Sequence, residues 1–168
     1  MPLRQVPNME EYRKKVKDLS DLKKEIEALK AKGKRIVFTN GCFDLLHPGH
    51  TRYLYAARQL GDYLVIAVNT DRSVKAIKGA NRPIQSQDER AELVAALSFV
   101  DAVVFFDEDN PLKIIQRLVP NVLVKGGDWT EDKIVGAEVV RKEGGVVKSL
   151  PFVAGYSTSG IIKKIGEG

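Results

Sequence analysis

The run Thr39-Asn40-Gly41-Cys42-Phe43-Asp44-Leu45-Leu46-His47-Pro48-Gly49-His50 contains both histidines of the chain, three residues apart. An apolar stretch, Ile36-Val37-Phe38, leads into it, and a helical pattern with Pro48 at its start leads out. A glycine-bearing strand-to-helix turn presents backbone N–H groups. The helix N-terminus adds partial positive charge, so such a turn suits a phosphate. Two imidazoles at that point can donate hydrogen bonds to an anion whose charge grows during reaction, which points to chemistry on a phosphoryl group. A structural reading competes, in which His47 caps the turn and His50 packs on the first helical turn.

The turn has to be carried by the surrounding elements. From residue 34 onward strands and helices alternate: strands at 35–40, 63–69, 102–106, 122–124 and 146–150, helices at 48–60, 87–97, 111–118, 133–142 and 158–165. The strand at 63–69 (Tyr-Leu-Val-Ile-Ala-Val-Asn) is almost wholly apolar, as in a sheet covered on both faces. The order predicts an α/β fold, a five-stranded parallel sheet with helices on both faces. Ligands of such folds sit beyond the carboxyl ends of the strands, where the strand order reverses, and the histidine turn follows the carboxyl end of the first strand. The segment 69–85, with Asp71, Arg72, Lys75, Lys78 and Arg82, reads as the longest loop and a candidate lid.

Residues 1–33 read as an N-terminal helical extension to a domain at 34–168. Residues 1–18 are polar, with a short helix expected at 9–18. Leu22, Ile26 and Leu29 then recur at helical spacing, with Ser20 as the expected N-cap and Gly33 as the stop. That stripe covers either the domain or a partner subunit, which makes a homodimer an expectation to test.

At 168 residues the chain has room for one domain with a real core. No apolar run approaches the roughly 18 to 20 residues that span a bilayer, and the N-terminus lacks a signal-peptide core. A cytoplasmic location and no membrane partner are expected. The lone Cys42 excludes an intramolecular disulfide and agrees with a reducing compartment. Net charge is +5 with the basic residues spread out, which fits a small anionic substrate and gives no nucleic-acid partner. Two His and one Cys are too few for an ordinary zinc site, and no metal-ligating set is expected. Gly-x-x-x-x-Gly-Lys-Ser/Thr, Gly-x-Gly-x-x-Gly after the first strand and Gly-x-Ser-x-Gly are all absent, which argues against P-loop, dinucleotide-binding and serine-hydrolase chemistry.

Thr39–Asp44 followed by His47-Pro48-Gly49-His50 resembles the signature of the His-x-Gly-His nucleotidyltransferases, in their cytidylyltransferase-like branch. Asn69-Thr70-Asp71, Lys78-Gly79, Arg90, Lys125-Gly126-Gly127-Asp128-Trp129 and Ser157-Thr158-Ser159 follow in the order that branch requires, over about residues 34–165. Within it the chain is similar to the adenylyltransferase domain of ADP-heptose synthase, which also carries Val-Lys-Gly-Gly-Asp and a Ser-Thr pair before Ile-Ile-Lys-Lys-Ile. The Arg of the cytidylyltransferases' Arg-Thr-Glu-Gly-Ile-Ser-Thr segment is missing from Phe152–Thr158, which favours ATP over CTP.

The resemblance implies a Rossmann-like nucleotidyltransferase fold and transfer of AMP from ATP to a sugar 1-phosphate, heptose 1-phosphate above all, for lipopolysaccharide core precursors. Without a kinase domain it would be a free-standing transferase. The alternative is a cytidylyltransferase using CTP and glycerol 3-phosphate or a similar small phosphoester. The implied catalytic residues are His47 and His50 as phosphate donors, Lys78 as a clamp from the loop (with Lys75 as its competitor) and Arg90 on the β/γ-phosphates. Thr39, Asn40, Gly41, Cys42, Phe43, Gly49, Lys125, Gly127, Asp128, Tyr156, Ser157 and Thr158 would bind nucleotide. Gly49 would allow close approach, Asp44 would orient the turn or a histidine, and Cys42 reads as a packed residue rather than a nucleophile. Mg²⁺ is expected on the triphosphate of ATP.

Overall fold

The computed structural model describes residues 10–167. Strands β1 (Ile36–Gly41), β2 (Tyr63–Asn69), β3 (Ala102–Phe106), β4 (Val122–Gly126) and β5 (Val146–Leu150) form one parallel sheet in the order β3-β2-β1-β4-β5. The chain winds outward from β1 through β2 to β3, then returns to place β4 on the other side of β1. The reversal lies beside β1, the strand that leads into the histidine turn. Around the sheet lie α1 (Leu19–Ala31), α2 (Pro48–Arg58), α3 (Asp71–Lys78), α4 (Gln87–Ala95), α5 (Leu112–Leu118), α6 (Ala137–Lys142) and α7 (Thr158–Gly166).

Side chains alternate across each strand, which divides the core in two. Ile36, Phe38, Val65, Ala67, Val104 and Leu123 meet α1, α5 and α6 on one face. Val37, Leu64, Ile66, Val103, Val122 and Val124 meet α2 and α4 on the other. Both faces are dry, which is why β2 is apolar nearly throughout.

Leu22 and Ile26 of α1 are buried in the same cluster as Ile36 and Phe38, so the stripe covers this chain's own sheet. The N-cap of α1 is Asp18, not Ser20. Its carboxylate accepts from the Ser20 N–H at 2.7 Å and the Ser20 hydroxyl at 2.6 Å, which starts the helix two residues earlier. The short helix expected at 9–18 is a single 3-10 turn, Tyr12–Lys15, with residue 9 outside the described residues. Val16 then bridges Val103 and the Lys17 N–H donates to the Val103 carbonyl at 2.8 Å, covering the outer edge of β3.

Two further expectations change. The supposed loop at 69–85 contains α3, capped by the Thr70 hydroxyl accepting from the Ser73 N–H and stopped by Gly79 at φ +99°. Val74 is the one buried apolar residue in that helix, too little for a periodic signal. The expected helix at 133–142 is split into a 3-10 turn, Glu131–Lys133, and α6. Gly136 takes φ +88° between them, where Ile115 leaves no room for a Cβ.

Candidate active site

β1 delivers the chain to the switch point and α2 carries it away, and His47 is the N-cap residue of α2. Pro48 has no N–H, and the His50 and Thr51 N–H groups both donate to the His47 carbonyl. Among the described residues this leaves the Gly49 amide without a partner in the first turn. The two imidazoles stack with centroids 3.8 Å apart and planes 19° apart. Nδ1 of each ring is buried without a hydrogen-bond partner. Burial, together with the neighbouring His47 ring, pushes His50 down to about 4 against a small opposing effect of the Leu45 backbone, and burial lowers His47 as well. Both rings are therefore neutral at pH 7 and offer an N–H to a ligand without bringing in a charge. A Cβ on Gly49 would lie 2.9 Å from His47 Nδ1 and 3.1 Å from the Tyr156 Cβ, so Gly49 makes room for the imidazole itself.

The N-terminus of α7 reaches the same place. Ser157 is its N-cap, accepting from the Gly160 N–H at 3.0 Å, and Thr158 is tied to the turn through the Leu45 carbonyl at 3.4 Å. Tyr156 lies parallel to His47 at 6.3 Å, with the Arg52 guanidinium 5.4 Å from its ring centre. Two helix N-termini, two neutral imidazoles and Arg52 thus surround one spot, an arrangement suited to a polyanion.

Arg90 does not face that spot. It is 0% exposed, and its guanidinium donates to the Gln85 carbonyl at 3.1 Å, the Cys42 carbonyl at 2.5 Å and Asp71 Oδ1 at 2.8 Å. Nε, Nη1 and Nη2 thus each make a bond inside the protein, and the guanidinium is turned toward these partners. Thr39 is fully buried with its hydroxyl 2.5 Å from the Tyr53 hydroxyl, which also bonds the Val124 carbonyl. It ties α2 to β1 and β4. Burial raises the Tyr53 hydroxyl to about 12 against the opposing effects of the Thr39 hydroxyl and the Gly126 backbone. Asp44 orients the turn as expected, accepting from Arg82 Nε at 2.5 Å and from the Ile84 and Gln85 N–H groups. Burial would raise its carboxyl, but these donors outweigh it and hold the group below the usual carboxylate range.

Beside the turn a cavity of about 290 Å³ opens across the carboxyl ends of four strands. Asn40, Cys42, Lys78 and Lys125 line it, as do Asn69, Asp109, Asn110 and Lys133, which the sequence pattern did not assign. The Asp109-Asn110-Pro111 run lies just past β3, and attention to the residues beyond each strand's carboxyl end would have found it. Burial lowers the Lys125 ammonium, and Lys78 adds to the effect by charge repulsion while Cys42 opposes it, so the two lysines sense each other across the cavity. Burial likewise raises the Cys42 thiol, leaving it a packed group with its sulfur 3.8 Å from Asn69 Oδ1.

Gly127 and Asp128 lie just past β4 and do not line the cavity, although the following Trp129 does. Gly127 takes φ +114°, and a Cβ there would meet the Phe152 ring at 2.8 Å and the Trp129 Nε1 at 3.1 Å. Phe152 is 76% exposed and Trp129 51%, so both aromatics pack on Gly127 and still show a face to solvent. A Cβ on Gly41 would lie 3.0 Å from the Phe43 ring, so Gly41 admits a side chain of the turn.

A family model described as cytidylyltransferase-like matches residues 38–164, from β1 through the histidine turn to α7. The chain belongs to the cytidylyltransferase-like family. Bifunctional protein HldE of Geotalea uraniireducens is 54% identical over 154 residues, which are 92% of this chain and 31% of that protein. The HldE of Geobacter sulfurreducens is 56% identical over 151 residues, 90% of this chain and 31% of that protein. The chain therefore spans about a third of the length of these curated relatives. The lipopolysaccharide core biosynthesis protein from Thermoplasma volcanium GSS1 superposes with a TM-score of 0.58 at 30% identity, covering 72% of this chain and 98% of that one. Pantoate-beta-alanine ligase from Francisella tularensis shares the fold alone, with a TM-score of 0.56 at 13% identity. The cytidylyltransferase-like sheet is thus Rossmann-like, of the nucleotidyltransferase type. Among the described residues no helix is long and apolar enough to cross a membrane.

Proposed function

We propose that this cytidylyltransferase-like chain transfers AMP from ATP to a sugar 1-phosphate, heptose 1-phosphate foremost, releasing pyrophosphate. The observation that carries this reading is the stacked pair of neutral imidazoles, each with an unpartnered buried nitrogen, at the N-terminus of α2. A phosphate oxygen of the acceptor attacks the α-phosphorus, a bond forms to it, and the bond to the α/β bridging oxygen breaks. The nucleophile is already an anion, so the protein supplies position and charge stabilisation rather than a strong base. His47, His50 and the Gly49 amide donate to phosphate oxygens as charge moves to the bridging oxygen, with the start of α7 facing the same group. The exposed rings of Phe152 and Trp129 offer a face on which the base stacks. The cavity takes the acceptor: its volume is near the small end of ligand pockets, roughly 300–1,000 Å³. Lys78 and Lys125 hold the acceptor's phosphate there, and Asn69, Asp109 and Asn110 bond its hydroxyls.

Mg²⁺ enters with ATP as part of the nucleotide substrate and neutralises triphosphate charge. The HldE relatives and the lipopolysaccharide core neighbour favour this reading over CTP with glycerol 3-phosphate. The setting is a cytoplasmic supply of lipopolysaccharide core precursors. A homodimer would have to use a surface other than the α1 stripe, which is buried in its own core.

Pyrophosphate release, followed with Mg²⁺ and either ATP or CTP against a panel of sugar 1-phosphates and polyol phosphates, tests the proposal. Turnover with ATP and heptose 1-phosphate is the expected result. Turnover with CTP and a polyol phosphate alone would overturn the choice of substrates.

A further inference from the structure

Phe43, between the histidine turn and β1, takes φ +48°, a left-handed conformation that a bulky side chain adopts only when its surroundings hold it there. The peptide units on either side are gripped separately. On one side the Cys42 carbonyl accepts from Arg90, whose other donors reach Gln85 and Asp71. On the other side the Asp44 carboxylate, 1% exposed, accepts from Arg82, Ile84 and Gln85. Left in that conformation, the Phe43 ring folds back over Gly41 and stands edge-on to His50, with centroids 5.4 Å apart.

We propose that Arg90 and Asp44 are positioning residues: they hold Phe43 left-handed, and its ring fixes His50 against His47. The same two ion pairs bracket the lysine-bearing segment. Asp71, held by Arg90, opens α3, and Arg82, held by Asp44, follows its end. Lys78, the last residue of α3, is thereby set in register with the histidine turn. Arg90 acts on the reaction through Phe43 and Asp71 and touches no phosphate. This rests on His50 serving as a phosphate donor, as proposed above.

The test uses Arg90→Lys, which keeps the charge and loses the planar fork, and Phe43→Leu, which keeps bulk and removes the ring edge. The chain has only two histidines, so their ring C–H signals can be followed through a pH titration without substrate. In the wild type the groups acting on His50 are the His47 ring and the Leu45 backbone. Both variants should move the His50 midpoint upward toward that of a free imidazole. Both should lower kcat by about 10- to 100-fold, the scale of a small misplacement of a catalytic group. KM for ATP should stay within about threefold, since ground-state binding is not what is lost.

Folded Arg90→Lys with an unchanged His50 midpoint and a raised KM for ATP would make Arg90 a direct phosphate ligand and overturn the proposal. Wild-type kcat and midpoint in Phe43→Leu would overturn it too, and that variant decides the matter if Arg90→Lys does not fold. If the wild type turns over no acceptor, the functional reading fails, while the substrate-free titration still decides the positioning role.

Discussion

The two ends of β1 are built on opposite principles. At the amino end the Ile36 N–H donates to Asn121 Oδ1 at 2.9 Å and the Arg35 N–H to Asp62 Oδ2 at 2.8 Å. The Asp62 and Tyr63 N–H groups both return to the Arg35 carbonyl, and Asn121 N–H to that of Ile36. At the carboxyl end lie Phe43 with its positive φ, the buried Arg90 and Asp44, and a stack of two imidazoles. The buried side-chain atoms without a partner, among the described residues, are His47 Nδ1, His50 Nδ1 and Gln85 Oε1, all at this end or bonded to it. Protein interiors rarely leave polar atoms unpaired, and their gathering at one end of one strand fits the phosphate contacts proposed for the histidine turn. One end of the strand secures the fold and the other is held ready for chemistry.

Substitutions at the two ends should separate stability from rate. The largest effect is expected from His50→Ala, which removes a donor to the developing charge and should lower kcat by roughly 10²–10³. Its melting midpoint, read in the same preparation, should stay within about 4 °C, because the buried Nδ1 of the ring has no partner to lose. In the core beneath, Leu22→Ala should cost about 2–5 kcal/mol in denaturant unfolding, with kcat of the folded fraction unchanged. That contrast also bears on the family-model match, which starts at residue 38 and omits α1. Asn121→Ala, at the amino end, should cost about 1–3 kcal/mol by stranding the Ile36 N–H, again with little change in kcat. A loss of rate in Asn121→Ala as large as in His50→Ala would erase the distinction between the two ends.

The smallest effect is on pH dependence. Burial holds folded His50 near about 4, against 6.5 for an exposed imidazole. The unfolded chain binds more protons between those values, so this contribution to stability is whole above pH 6.5 and is lost as the pH falls toward 4. His50→Gln should therefore lose less of its melting midpoint than the wild type between pH 7 and pH 4.5. Parallel losses would mean that His50 is not held neutral.

Much of the fold was legible because burial on both faces writes itself into composition: β2 is apolar almost throughout and β5 matches its expected bounds. α3 was missed because it turns a single apolar residue, Val74, into the core, although Thr70 and Asp71 are ordinary helix-start residues. Gly136 broke the expected helix at 133–142 through a contact with Ile115 that no local pattern records. Around the candidate site, the strand-to-helix turn with Pro48 at the helix start and the Ser157 cap could be read from local spacing. The burial and partners of Arg90 and Thr39 left no local signal, because they are set by the tertiary fold, 48 residues apart for Arg90 and Cys42. The cavity residues come from four strand ends and leave no linear signature.

The central claim is that the histidine turn directs attack at the α-phosphorus. Phosphorus-31 NMR of the protein with Mg²⁺, ATP and heptose 1-phosphate tests it most directly. The expected spectrum gains free pyrophosphate and the coupled pair of signals of a nucleoside diphosphate sugar, and neither forms at a comparable rate with His50→Ala. ADP and inorganic phosphate in their place, or equal product from wild type and variant, would contradict it.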